Sequence, residues 1–346
     1  MITTRSLAAR LRCAVILPLA IAAIVLTGGG PFGAPVLDAQ GPPEAQLQRL
    51  RSLFELAGVV FTDVDERSGR LVVGVLDRGV QGLIRARLAV LGVRADSVDV
   101  VETEPIVQVS TLRDRIDRPV PGGVQIRFSN YLCSLGFNAT LDGVDGFVTA
   151  SHCSTKQGSV DGTKYYQPLN QVAGDLIGTE VADPAYRRNI PGCPKGRVCR
   201  WSDANFSAGG DGLLGKIAKT DGVNTGSLNM VAEQFTITGE GAAVVGQSAN
   251  KVGRSTGWTQ GEVSKTCVDT GVSGTNIILL CQDWVENQNA QIVVSGDSGS
   301  PVFKIISGNN VTLLGNLWGG NTSGTQFIYS PIVRIRQELG DSLSTH

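Results

Sequence analysis

The chain of 346 residues contains two histidines, and one of them, His346, is its last residue. His152 therefore stands alone inside the body of the sequence, in the run Thr149-Ala150-Ser151-His152-Cys153. There an apolar, strand-like stretch gives way to a cysteine that can pin the imidazole. Imidazole titrates near neutral pH and can accept and return a proton, so a firmly held one suits a general base. The second run with chemical content is Gly296-Asp297-Ser298-Gly299-Ser300-Pro301. A serine hydroxyl is a weak nucleophile until a base takes its proton. The reaction also needs backbone N–H groups aimed at the oxygen that becomes negative in the transition state. A glycine two residues before the serine lets the chain turn so that the amides of Gly296 and Ser298 face one point. Those two amides are the candidate oxyanion hole.

Together the two runs resemble the chymotrypsin-like (trypsin-fold) serine peptidases, with the histidine preceding the serine as in that fold. The resemblance covers roughly residues 120–340 and is nearest to the secreted bacterial branch that includes α-lytic protease and the streptogrisins. Val252-Gly253-Arg254-Ser255-Thr256-Gly257-Trp258 and Gly324-Thr325-Gln326-Phe327 add to it. It implies an all-β fold of two six-stranded-type antiparallel barrels, with a cleft between them. It further implies an aspartate between His152 and Ser298 that orients the base. Asp203, in Arg200-Trp201-Ser202-Asp203-Ala204-Asn205-Phe206, is a lone carboxylate in a strand-like run, and if buried it needs a partner such as an imidazole N–H. Asp175, Asp183, Asp211 and Asp221 sit in Gly- or Pro-marked loops and read as solvated turn residues.

The resemblance also implies an internal ion pair between Arg254 and Asp297 that shapes the oxyanion loop. It places Leu317-Trp318-Gly319 on the strand that pairs with a substrate backbone, and Ile292 and Val293 at the floor and wall of the side-chain pocket. Leu317 stands where serine is usual. No acidic residue other than Asp297 occurs in 287–330, which favours small or apolar residues before the cut over Arg or Lys. The expected activity is a serine endopeptidase working through an acyl-enzyme on a protein or peptide substrate, with no cofactor and no metal. The competing readings are a catalytically inactive binding module of the same fold and an exported esterase.

The elements that must position these residues follow from composition. With 44 glycines, 5% aromatic and 18% charged residues, the chain reads as a turn-rich β protein. The net charge of −1 and the lack of a basic stripe argue against nucleic acid as a partner. Arg5, Arg10 and Arg12 precede an apolar run over 13–26 that Pro18 interrupts, which predicts a signal peptide over residues 1–39 and a secreted (extracellular or periplasmic) product with no membrane attachment after cleavage. Besides Cys13, six cysteines remain, an even number that suits an exported, disulfide-bonded protein. Sequence neighbours suggest Cys133–Cys153, Cys193–Cys199 and Cys267–Cys281, the first of which, in the family resembled, braces the histidine loop. Asn138, Asn205, Asn310 and Asn321 begin Asn-X-Ser/Thr sites.

Residues 40–118 differ from the rest. Helical spacing over 44–57 and 80–91, with short β runs at 58–62, 71–75 and 98–100, predicts a small α+β unit. It occupies the place of a pro-region that helps the peptidase fold and then inhibits it, making the chain a zymogen; a retained accessory domain is the alternative. The charged stretch 113–118 reads as an exposed linker and processing site. Residues 119–346 form the peptidase domain in this reading, mostly strands, with a helical turn or two at 332–339.

Overall fold

The computed structural model describes residues 43–106, 108–169 and 173–346; the expected signal peptide lies outside them. The chain divides into two compact units, Met1–Val107 and Gln108–His346.

In the first unit the helix Pro43–Leu50 and a 3-10 turn, Arg51–Glu55, precede the strands Val59–Asp65 and Arg70–Val75. Arg70–Val75 is central, antiparallel to Val59–Asp65 and parallel to Val98–Glu102. A parallel neighbour needs a crossover, and the helix Gln81–Val90 supplies it. Leu50, Leu53, Val73, Val75, Ile84 and Leu88 fill the space between helices and sheet. The α+β pattern read from the sequence is thus present.

The second unit is built of two sheets. Six strands close into an antiparallel ring: Ile277–Glu286 pairs with Gly257–Gly271, then Ser248–Gly253, Pro301–Ser307, Asn310–Gly320 and Gln326–Pro331, which returns to Ile277–Glu286. Closure removes the exposed edges an open sheet would carry. Its interior holds Ala249, Val263, Val285, Val302, Leu314, Phe327 and Tyr329. The other sheet has seven strands in the order Tyr131–Ser134, Gln125–Phe128, Lys164–Tyr166, Leu176–Ala182, Asn205–Ala208, Val144–Thr149, Phe137–Leu141. Phe137, Phe147, Tyr165 and Phe206 anchor its core. The unit ends in the helix Ile332–Leu339, as the sequence predicts. The expected all-β fold of two antiparallel barrels is observed: six strands of the larger sheet close into one, and the seven-stranded sheet is the second, while Val120–Gly122, Val198–Arg200, Gly212–Thr220 and Met230–Glu240 extend the larger sheet through three parallel pairings.

Arg113, Asp114, Arg115 and Asp117 are exposed, as expected, yet the stretch 113–118 is anchored rather than free. Leu112 is fully buried, and its N–H donates to Leu228 O at 3.0 Å. Arg115 is paired with buried Asp175, and Arg118 lies 3.4 Å from Asp211. Arg113 Nε donates to Arg254 O at 2.9 Å. The charges that made the stretch look solvated are used to tie it to distant loops. Two of the Asn-X-Ser/Thr sites are also closed, since Asn138 and Asn205 are buried.

Candidate active site

Strand pairing delivers the base and its carboxylate to one place. Val144–Thr149 runs antiparallel to Asn205–Ala208 with Thr149 opposite Asn205. Residues just after Thr149 and just before Asn205 therefore leave the same end of the pair. His152 sits there on the short 3-10 turn Ser151–Cys153, and Asp203 enters opposite it. Asp203 Oδ2 lies 2.8 Å from His152 Nδ1, and Asp203 Oδ1 accepts from His152 N at 3.0 Å. A carboxylate only accepts, so Nδ1 carries the hydrogen and Nε2 keeps the lone pair that a general base uses. Asp203 is buried, while a third (33%) of the imidazole side chain reaches solvent.

The environment sets both protonation states. Burial alone would lower the His152 pKa, but the Asp203 charge and hydrogen bond outweigh it and raise the value above the ordinary one. Burial alone would raise the Asp203 pKa; His152 and then Arg200 outweigh it and hold the carboxyl below its ordinary range. The disulfide Cys133–Cys153 braces the turn, and Cys193–Cys199 and Cys267–Cys281 are also formed.

Ser298 lies half-buried on a loop with two left-handed glycines, Gly296 (φ +96°) and Gly299 (φ +88°). The loop is pressed against the histidine strand. A Cβ built on Gly299 would come within 2.2 Å of Thr149 Oγ1, so only glycine fits. Asn316 joins the two loops, with its amide nitrogen donating to Gly299 O at 2.6 Å and its oxygen accepting from Ala150 N at 3.3 Å. Ser134, next to Cys133, fixes the peptide planes on the other side: its N–H donates to Ser298 O at 2.8 Å and its hydroxyl to Gly296 O at 2.9 Å. Held in this way, the N–H groups of Gly296 and Ser298 donate to no partner among the described residues, whereas Asp297, Gly299 and Ser300 N–H are all bonded internally. Two unspent donors beside a serine are what an oxyanion site requires. Ser298 Oγ itself makes no hydrogen bond among the described residues.

Asp297 does not pair with Arg254. Its cation is Lys251, whose Nζ lies 3.3 Å from Oδ2, and four further donors reach the carboxylate: Ser255 N, Thr256 N, Thr256 Oγ1 and Val294 N. Lys251 is on the buried strand Ser248–Gly253 and points at the loop. Arg254 lies one residue beyond that strand, so its side chain turns elsewhere: Nε donates to Gln125 Oε1 at 2.6 Å. Its guanidinium instead covers Gly296, where an added Cβ would come within 2.5 Å of Nη1.

A cleft of about 510 Å³ opens at the couple, lined by His152 and Asp203, by Trp318 and Gly319 of the strand Asn310–Gly320, and by Thr270, Val272 and Trp284 of the paired strands Gly257–Gly271 and Ile277–Glu286 and their connection. Apart from His152 and Asp203, no charged residue lines it. Trp318 and Gly319, expected on the strand that pairs with a substrate backbone, are thus both at the cleft. Ile292, Val293 and Leu317 do not line this cleft. They are buried inside the closed barrel with Phe327 and Tyr329, where apolar side chains leave water. No cluster of three His, Cys, Asp or Glu groups among the described residues could hold a metal ion.

Sequence reasoning missed Ser134, Lys251 and Ser330, whose hydroxyl accepts from Asp203 N at 2.9 Å. Only Ser134 carried a signal, its place after Cys133.

No protein-family model matches the chain. Among solved structures it is similar to Thermobifida fusca protease A, at 22% identity and a TM-score of 0.45, over 65% of this chain and 97% of that one. A Nocardiopsis protease matches at 23% identity and 0.44, over 65% and 97%. Cellulomonas bogoriensis chymotrypsin matches at 21% and 0.44, over 66% and 98%.

Proposed function

We propose that the chain is a secreted serine endopeptidase in which Ser298 is acylated by a peptide carbonyl, His152 is the base and then the acid, and Asp203 holds the imidazole tautomer. The observation that carries this reading is the combination of a bonded His152–Asp203 couple with a serine loop whose Gly296 and Ser298 amides are left unspent. In the reaction His152 Nε2 takes the Ser298 proton as Oγ attacks. The two amides receive the oxyanion, and the protonated imidazole returns its proton to the leaving amine. Water then releases the acyl group by the same route in reverse.

Apart from His152 and Asp203 the cleft lining carries no charge, which supports apolar or small side chains next to the cut and disfavours Arg or Lys. Three disulfides support an oxidising destination. The first unit is proposed as a pro-region that assists folding and inhibits the peptidase, since a barrel dominated by non-local pairing folds slowly. The test compares peptide amides with simple esters as substrates for the secreted protein and its Ser298→Ala variant. Serine-dependent cleavage of peptides is the expected result. Ester cleavage alone would make it an esterase, and cleavage of neither by the processed protein would make it a binding module.

A further inference from the structure

Next to the couple lies a buried charge network that takes no part in the acylation and hydrolysis steps. Arg200 and Asp183 are both fully buried, with Arg200 Nη1 2.7 Å from Asp183 Oδ1. Arg200 Nε lies 2.9 Å from Glu338 Oε2 of the terminal helix, and Arg200 Nη2 donates to Ala204 O. The guanidinium also stacks on Tyr186, 5.5 Å from the ring centre. Asp183 spends its other oxygen on Ser151 Oγ (2.9 Å) and Gly158 N (2.8 Å). Glu338 accepts from Trp201 N, Ser202 N and Ser202 Oγ at 2.9, 3.0 and 2.6 Å.

The two ends of this network are neighbours of the couple in sequence. Ser151 precedes His152, and Ala204 follows Asp203. Burying charges is expensive, and ion pairs in a core are often no more stabilising than apolar side chains of the same volume. Such a network earns no ready explanation from stability. A planar guanidinium does, however, fix directions: its donors point along set lines, so the groups it holds are set in orientation as well as distance.

We propose that Arg200 is a positioning residue which, through Asp183 and Glu338, locks the segments carrying His152 and Asp203 into the geometry their hydrogen bond needs. Asp183 is thus no solvated turn residue; its carboxylate is the link from Arg200 to the residue before the imidazole. Arg200 also faces Asp203 electrostatically and helps keep that carboxyl ionised. The kinetic consequences rest on the proposed peptidase activity, but the His152–Asp203 bond does not.

The test therefore has two independent readouts. With only two histidines in the chain, 15N-histidine labelling allows the Nδ1–H proton of His152 to be followed by NMR as a low-field signal, whether or not any substrate is cleaved. In the full-length protein we expect that signal to be present, and to shift or broaden in Arg200→Met, Asp183→Asn and Glu338→Gln. Where peptide cleavage is measurable, kcat should fall by up to about 10²-fold with KM nearly unchanged, the size expected for a misplaced reacting group. Arg200→Lys keeps the charge but not the fork and should restore little of either. Should Arg200→Met fail to fold, Ser151→Ala decides the matter, because it cuts the link from Asp183 to the neighbour of His152 and otherwise removes only an acceptor for Gly158 N (3.1 Å), which keeps its bond to Asp183. A folded Ser151→Ala and Glu338→Gln with the wild-type Nδ1–H signal and wild-type kcat would overturn the proposal. A wild-type protein inactive on all substrates would sink the peptidase reading alone, leaving the NMR comparison to judge Arg200.

Discussion

Lys251 Nζ lies 3.3 Å from Asp297 Oδ2, and neither side chain reaches solvent. Burial lowers the lysine pKa, with the Asp297 charge opposing that effect. Asp297 immediately precedes Ser298, and its five contacts hold the loop that presents the Gly296 and Ser298 amides. Removing the lysine charge leaves an uncompensated carboxylate in the core. Lys251→Met should therefore cost about 3–5 kcal/mol of stability in chemical denaturation and abolish most of the activity. Arg254→Met, which breaks no ion pair, should cost clearly less on both counts. Equal losses in the two variants would contradict the assignment.

Asp203→Asn should fold and leave KM nearly intact while lowering kcat by about 10⁴-fold, since the amide no longer enforces the tautomer with a free Nε2. The pH profile carries a sign as well. The base must be neutral, so activity rises as pH climbs through the His152 pKa, which Asp203 holds above the ordinary value of 6.5. The acid limb of kcat/KM should have its midpoint above that value in the wild type and lower in Asp203→Asn.

Glu180, buried on the strand Leu176–Ala182, offers a separate pH effect. Burial, followed by the neighbouring Asp161 and Asp183 carboxylates, pushes its pKa up to about 7. With the folded-state pKa raised above the ordinary 4.5, the contribution is full below 4.5 and is lost as pH rises from there through about 7. The melting temperature should consequently fall across this range. Glu180→Gln, which mimics the protonated carboxyl, should remove that part of the decline; an unchanged slope would refute the assignment.

Gly299→Ala tests the contact between the serine loop and the histidine strand. The added methyl would lie 2.2 Å from Thr149 Oγ1 and 2.3 Å from Ser134 O, at a φ of +88°. A loss of about 1–3 kcal/mol is expected from overpacking, together with a drop in kcat measured on the folded fraction.

Much of the candidate site was legible because its residues are tied to local sequence. His152 follows a strand and precedes a cysteine, and Ser298 sits between two glycines that adopt the positive φ their spacing suggests. The disulfides join sequence neighbours, and the terminal helix has a helical apolar pattern. What escaped notice depends on contacts between distant segments. Which of Lys251 and Arg254 reaches Asp297 is decided by where the strand Ser248–Gly253 ends. The solvated look of Arg113, Arg115 and Arg118 hides partners at Arg254, Asp175 and Asp211. The side chains of Ile292 and Leu317 fill the closed barrel, whose closure no local pattern reveals.

The central claim is that Ser298 is a nucleophile activated by His152. Its most direct measurement is labelling of the secreted protein by a fluorophosphonate probe, with the modified residue mapped by mass spectrometry beside Ser298→Ala and Asp203→Asn. The account predicts a single modified serine, Ser298, lost in the first variant and formed far more slowly in the second. A processed, folded protein that stays unlabelled, or one labelled at another serine, would contradict it.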